Sequence, residues 1–350
     1  MKKIKINMLS SADKVAGQGV GSAYLEQVSL VKENLSDLFD VKINGGIKYD
    51  IMHHHTVDPI NYIKMKLTKG VNIAYVHFLP DTLDGSIKLP KMFFGIFKKY
   101  VTKFYKSADY LVVVNPIFKK DLVKYGINEN KIFYIPNYVS KEKFYKKTEN
   151  EIIKIKEKYN IPKDKFVVLG VGQVQTRKGV KDFAKVALEN PDLHFVWCGG
   201  FSFGKITDGY EELKKLWDNP PKNVQFLGII PREEMNDMYN ICDVLFMPSY
   251  NELFPMSILE AVNLYKPILL RNLELYEDIL FHKYISGNSN EEFSKSLQKL
   301  KNDKEFYKEA ESNSKYISEY YSKEHVSLIW KEFYLDVYNK NNWQLNKFRI

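Results

Sequence analysis

Short continuous runs of Val, Ile and Leu alternate with helix-period segments along almost the whole chain, and no other feature limits the fold so tightly. Strand-like apolar runs occupy residues 5–9, 41–44, 51–54, 73–77, 110–114 and 131–135, with helical spacing at about 24–35, 92–107 and 116–125. A second series follows at 166–171, 194–198, 224–226, 244–247 and 267–270. Strands that are apolar on both faces and joined through helices form parallel sheets covered on both sides. A polar, Lys/Glu-rich stretch at 140–165 parts the two series and reads as linker plus helix. The expectation is an α/β protein of two doubly wound, Rossmann-like domains with a cleft between them, at residues 1–150 and 151–322. A segment at 323–350 carries Ile329, Trp330, Phe333 and Val337 at helical spacing. It is expected to close the second domain or, as taken here, to cross back to the first.

The length of 350 residues suits two domains, and a hydrophobic content of 45% excludes a disordered chain. Two cysteines, Cys198 and Cys242, are too few for a disulfide scaffold and fit a reducing compartment. No apolar run approaches the ~18 residues needed to span a bilayer. The opening MKKIKINMLSS lacks the apolar core of a signal peptide, so a cytoplasmic protein is expected.

The formal charge of +9 is unevenly placed. Residues 1–150 hold 24 Lys and no Arg against 14 acidic side chains, a balance of +10, which leaves −1 for the rest. Such asymmetry points to an anionic surface, membrane or nucleic acid. Scarcity of Arg beside abundant Lys, Asn, Ile and Tyr reflects compositional bias, but bias does not explain where the excess falls. The chain carries no recognisable nucleic-acid reader motif, so nucleic acid is not an expected partner.

Ligands of doubly wound sheets gather at the carboxyl ends of strands, often on Gly-rich turns that enter helices. The first such turn is Gly17-Gln-Gly19-Val20-Gly21, ahead of the helix expected at Tyr24. Its glycines let backbone N–H groups approach an anion at a positive helix end. The second begins Gly170-Val-Gly172-Gln173 and runs through Arg177 and Lys178 to Gly179. Arg offers forked donors and Lys a point charge, which together suit a diphosphate. Neither turn ends in the GKS/T of a P-loop, and no G-x-G-x-x-G opens a helix, which disfavours an ATPase and a dinucleotide enzyme. In Asn251-Glu252-Leu-Phe254-Pro255-Met256-Ser-Ile258-Leu-Glu260, Glu252 lies in a turn and Glu260 about two helical turns further on. Backbone amides between Phe254 and Ile258 are expected to stand unpaired at the helix start.

These segments resemble the family-4 retaining glycosyltransferases of the GT-B architecture. Glu252 to Glu260 matches the family's E-x7-E motif with its Glu-(Gly/Leu)-Phe-Pro opening. Gly172–Gly179 is similar to its phosphate loop, with Gln173 where an Arg is usual and Arg177 as a compensating cation. Ile135-Pro-Asn-Tyr-Val139 followed by Phe144 resembles the element that closes the first domain. His77 matches a strand-end histidine of the acceptor domain, and the Gly17–Gly21 loop the N-terminal glycine loop. Within the family, the stretches at 7–31 and 199–208 look similar to bacterial diglycosyl-diacylglycerol synthases. The resemblance implies a UDP-hexose donor, a glycolipid acceptor, and transfer without a bound metal or other cofactor. It implies Glu252 and His77 at the reaction centre. Gly19, Val20, Gly172, Gln173, Arg177, Lys178, Phe254, Pro255, Met256 and Glu260 would hold the donor, with Glu260 on the ribose. It also implies front-face attack, the departing phosphate helping to remove the acceptor proton. The two-carboxylate logic of glycosidases is not carried over.

His53-His54-His55 on a strand cannot all face one metal, because successive side chains alternate faces; His53 and His55 share one. Burial or a site-lining role is expected in place of a metal. Residues 88–106 carry six Lys, no acidic residue and aromatics at helical spacing. Such a stripe either buries on its own sheet or docks on an anionic leaflet. Docking is the expectation taken here, with Lys91, Phe93, Phe94, Phe97, Lys98, Lys99 and Lys103 as contacts. The protein is thus expected at the inner face of the cell membrane as a peripheral enzyme. A transferase for an undecaprenyl-linked or other surface-polysaccharide precursor, a non-catalytic sugar-nucleotide sensor and a nucleic-acid-binding protein are the competing readings. Glucose against galactose, the linkage and the oligomeric state are left open by the sequence.

Overall fold

A computed structural model describes residues 2–11, 19–79, 91–202 and 204–347. The chain divides into two compact units, each built on one six-stranded parallel sheet.

Among the described residues, the first unit takes those up to 79, 91–138 and 321–347. It runs β1 (Ile4–Leu9), α1 (Gly19–Asn34), β2 (Phe39–Ile43), β3 (Ile51–His54), α2 (Pro59–Leu67), β4 (Val71–Val76), α3 (Lys91–Ser107), β5 (Tyr110–Val113), α4 (Phe118–Lys124) and β6 (Ile132–Tyr134). Its strand order is β2-β1-β3-β4-β5-β6, every pairing parallel. All six residues of β4 and all four of β3 are buried, as expected for central strands with helices on both faces.

The second unit spans Val139–Tyr320 among the described residues. It runs α5 (Glu149–Lys158), β7 (Val167–Val171), α6 (Val180–Glu189), β8 (His194–Cys198), α7 (Tyr210–Asp218), β9 (Val224–Gly228), α8 (Met235–Ile241) and β10 (Val244–Met247). There follow α9 (Met256–Asn263), β11 (Ile268–Arg271), α10 (Glu277–Leu280), β12 (Ile285–Gly287), α11 (Asn290–Asn302) and α12 (Lys304–Tyr320). The order β12-β11-β10-β7-β8-β9 is again all parallel. Its core stacks Phe183, Phe195, Trp197 and Phe246 between sheet and helices, Phe183 edge-on to Trp197 at 5.0 Å. α5 opens on a capping box in which the Thr148 side chain accepts from the Glu151 amide while Glu151 accepts from the Thr148 amide.

The last helix, α13 (Lys323–Lys347), belongs to the first unit, packed on α1 and β4 through buried Val326, Trp330, Phe333, Tyr334 and Val337. Ile329, read as part of the buried stripe, is only half-buried, and Tyr334, one turn after Trp330, is buried instead. The division falls at Tyr138/Val139, ahead of the polar 140–165 stretch. Phe144 lies in the second unit, buried against Tyr239 with ring centroids 5.8 Å apart. Among the described residues no helix is long and apolar enough to cross a membrane.

Two local expectations need correcting. Gly19 and Gly21 are the first turn of α1, not a loop before Tyr24. A helix leaves its first N–H groups without intrahelical acceptors, so the donors of this segment belong to a helix end. Gly17 and the side chain of Val20 lie outside the described residues. In α3 the aromatic stripe is split between two environments. Val101, Phe104 and Tyr105 are buried on the sheet, and Tyr100 donates to the Val57 carbonyl at 2.7 Å. Phe94 and Phe97 are half-buried, Phe97 stacked on Phe78 at 6.3 Å, while Lys99 and Lys103 face solvent. Lys98 is half-buried over the Tyr125 ring. The side chains of Lys91 and Phe93 lie outside the described residues.

Candidate active site

The second sheet reverses its direction of growth between β7 and β10, and ligands of open α/β sheets bind beyond the carboxyl ends of strands at such a point. The loop after β7 carries Gly172 to Gly179; the loop after β10 runs from Pro248 to Pro255. The backbone joins them: the Tyr250 amide donates to the Arg177 carbonyl at 2.7 Å, and Arg177 Nη1 donates to the Asn251 carbonyl at 3.1 Å. Gly179 makes this closeness possible. Its φ is +69°, and a Cβ there would lie 2.3 Å from the Pro248 carbonyl oxygen.

Across this junction Lys178 Nζ donates to Glu252 Oε1 at 2.5 Å, and Arg177 Nη1 lies 3.9 Å from Glu252 Oε2. Burial pushes the Glu252 pKa up, but the charges of Lys178 and Arg177 and hydrogen bonds from Lys178 and Ser249 outweigh it. The carboxyl is held below its ordinary range and stays ionised. Burial lowers the Lys178 pKa, opposed by the same carboxylate. Gln173, at the position where the family's loop usually has Arg, accepts from the Gln175 side chain at 2.7 Å. Gly172 sits at φ +150°, its carbonyl accepting from Trp197 Nε1 at 2.9 Å.

Glu260 is buried inside α9, with Oε1 accepting from Arg232 Nη1 at 2.7 Å and Oε2 from the Tyr239 hydroxyl at 2.6 Å. Each oxygen keeps a second lone pair, so the carboxylate can accept further donors. Phe254 and Met256 are buried at the start of α9, and Pro255 precedes it with extended geometry. The Ile258 amide donates to the Pro255 carbonyl at 3.2 Å, so it does not stand unpaired as the spacing suggests. The first turn tightens on itself there.

Sequence reading missed Arg271, Asp182 and Tyr250. Arg271 Nη2 pairs with Asp182 Oδ2 at 2.7 Å, its Nε donates to the Pro248 carbonyl at 2.9 Å, and its guanidinium lies 4.0 Å from the Tyr250 ring centroid. Tyr250 donates to the same Asp182 oxygen at 2.5 Å. The clasp holds the Pro248 loop in place. A signal was available: the chain has only four arginines, and Arg177, Arg232 and Arg271 each face a carboxylate here. Where Lys is the default cation, an Arg marks a place that needs a planar fork.

In the first unit, His77 follows the end of β4. Its Nε2 lies 3.3 Å from His55 Nδ1, and its ring is edge-on to Tyr75 at 4.2 Å. Burial lowers its pKa to about 3, so it is a neutral imidazole at physiological pH. The alternation of the triplet is as read: His53 and His55 share one face, while His54 turns to Asn72 at 3.1 Å and to Phe104 on the other. The Tyr334 hydroxyl lies 2.8 Å from His53 Nδ1 and accepts from Gln27 at 3.1 Å. Among the described residues no group of three or more His, Cys, Asp or Glu is placed to hold a metal ion.

Known proteins match this arrangement along nearly the whole chain. The family described as Glycosyltransferase Family 4 matches residues 31–143, and that described as Glycosyl transferases group 1 matches 151–316. The alpha-galactosylglucosyldiacylglycerol synthase of Streptococcus pneumoniae is 45% identical, over 95% of this chain and 90% of its own length. The processive diacylglycerol alpha-glucosyltransferase of Acholeplasma laidlawii is 27% identical over 72% of this chain and 75% of its own. Among solved structures, Anabaena HepE in complex with UDP-glucose superposes with a TM-score of 0.76 at 14% identity, covering 95% of this chain and all of the other. Sucrose-phosphate synthase of Thermosynechococcus elongatus gives 0.79 at 14% identity, over 97% of this chain and all of the other. The chain belongs to glycosyltransferase family 4 and is a glycosyltransferase of the GT-B fold.

Proposed function

We propose that the chain is a retaining hexosyltransferase that moves glucose or galactose from a UDP-sugar to monoglucosyl-diacylglycerol, giving a diglycosyl-diacylglycerol. The observation that carries this reading is the pair of cations set against a buried carboxylate at the β7/β10 switch point, in a chain so similar to the pneumococcal synthase. Lys178 and Arg177 neutralise the diphosphate as it leaves, a demand that grows toward the transition state. Arg177 takes over from the Arg absent at Gln173. The loop ahead of Lys178, with Gly172, holds the phosphates, and Glu260 accepts from the ribose hydroxyls through its remaining lone pairs. Glu252 meets hydroxyls of the donor sugar, and the Phe254–Met256 turn lies beside it. The first unit takes the acceptor, and its His77 is a neutral imidazole.

In the transfer the bond from the anomeric carbon to the phosphate oxygen breaks as the acceptor oxygen bonds to the same face. The acceptor proton passes to the departing phosphate. No metal is assigned a part, because Arg177, Lys178 and helix-end amides supply the positive charge. The enzyme works at an anionic membrane surface on the cytoplasmic side, reached through α3 and its Lys98, Lys99 and Lys103. UDP-[14C]hexose supplied with extracted lipids, resolved by headgroup, tests the reading. Label in a diglycosyl-diacylglycerol is expected. Label in polymer or an undecaprenyl-linked lipid, with none in diacylglycerol lipid, would contradict it.

A further inference from the structure

We propose that the outward face of α2, formed by Ile60, Ile63 and Leu67, is a bilayer-insertion surface that seats the first unit in anionic phospholipid. α2 is apolar on the side where a surface helix is normally polar. Its buried side is Asn61 and Met65, whereas Ile60, Ile63 and Leu67 are 59%, 53% and 61% exposed. At 3.6 residues per turn, the three fall within an arc of about 60° opposite that buried pair. Lys64 and Lys66 flank the arc, and Lys69 follows the helix end.

α3 lies beside α2 on the same side of the sheet. Tyr62 meets Tyr100 and Phe104 at 6.3 and 6.0 Å, and Lys103 Nζ lies 5.9 Å from the Tyr62 ring centroid. His54 and Asn72 point beneath both helices, toward Phe104 and the Met65 carbonyl. The outward side of α3 carries Ile96, 61% exposed, with Lys99, Lys103 and Lys106 at helical spacing from it. The described surface of the two helices thus presents four aliphatic side chains ringed by Lys, with no carboxylate on either helix. The nearest one before α2, Asp58, accepts from Ser11, Thr56 and Asn61.

Charge decides the occupant. A second copy docking on the same face would oppose Lys64, Lys66, Lys99 and Lys103 to their own copies, because a two-fold contact matches a patch with itself. An anionic leaflet attracts those lysines and receives the aliphatic tips in its acyl boundary. The purpose assigned to the surface rests on the reading of a lipid-directed transferase; the surface itself does not.

The test is co-sedimentation of the full chain with phosphatidylglycerol/phosphatidylcholine vesicles, wild type against Ile60→Ser, Ile63→Ser, Leu67→Ser combined. All three sites face solvent, and the thermal midpoint of each protein checks that it folds. A loss of about tenfold or more in the partition coefficient, persisting at high salt where Lys attraction is screened, is expected. Unchanged partitioning of the folded triple variant overturns the proposal. So does a wild-type dimer that the variant turns monomeric while vesicle binding stays. A chain that binds vesicles through α2 yet glycosylates no lipid would keep the surface and overturn the function; transfer to lipid with binding untouched by the substitutions would do the reverse.

Discussion

Glu252 keeps its charge although almost no solvent reaches it, because two half-buried cations stand against it. Removing one member of such a group leaves an uncompensated buried charge. Glu252→Gln is therefore expected to lower stability by about 3 kcal/mol in urea unfolding, and Lys178→Met added to it to recover most of that loss. Additive losses would mean the two are not paired. The histidines give a second expectation, in acid. Burial holds His77 near pKa 3 and His54 near 4, against about 6.5 unfolded. Below pH 6.5 the unfolded chain binds protons that the folded chain refuses, so stability falls as pH drops toward those values, by up to about 1.4 kcal/mol per pH unit for each residue. His54→Asn should flatten the dependence of the urea midpoint between pH 4.5 and 6.5; an unchanged slope would show that His54 is not buried neutral. The residues legible in advance were those whose signal is local: Glu252 and Glu260 eight apart, and Arg177 beside Lys178. The partners of Glu260 were not legible, because Arg232 and Tyr239 reach it from 28 and 21 positions away. Only the rarity of Arg hinted at Arg232.

At the scale of elements, α3 serves two ends at once. Phe104→Ala should cost about 3–5 kcal/mol, as a buried aromatic does, whereas Ile96→Ala should stay within about 0.5 kcal/mol. Equal losses would contradict the split read from burial. Lys98→Glu with Lys99→Glu should weaken binding to anionic vesicles. Gly179→Ala is expected to destabilise the second unit by about 2 kcal/mol or more, from positive φ and the clash with the Pro248 carbonyl. The central strands were read from sequence because both faces are buried and their runs are continuous. α2 was missed for the opposite reason: its aliphatics point outward and its buried side holds an Asn, so its hydrophobic period is inverted. β12 is three residues long, below what pattern can resolve. Gly19 and Gly21 were read as loop because glycine argues against helix, yet the first turn tolerates them.

For the whole molecule, the charge excess of the first 150 residues falls largely on a unit whose α2 and α3 are Lys-bearing and free of carboxylate, while the second unit sets its three arginines and Lys178 against Glu252, Glu260 and Asp182. Division into two parallel-sheet units was legible because every run of one kind repeats in the other half. The return of α13 to the first unit was open to two readings, since its apolar stripe suits either sheet. The most direct measurement is sugar transfer by the purified chain onto monoglucosyl-diacylglycerol in mixed vesicles, with UDP-glucose and UDP-galactose supplied separately. Addition of one hexose in retained configuration from one of them, abolished by Glu252→Ala while UDP still binds, is the result predicted. A wild-type chain that binds UDP but adds no hexose from either donor would contradict the account.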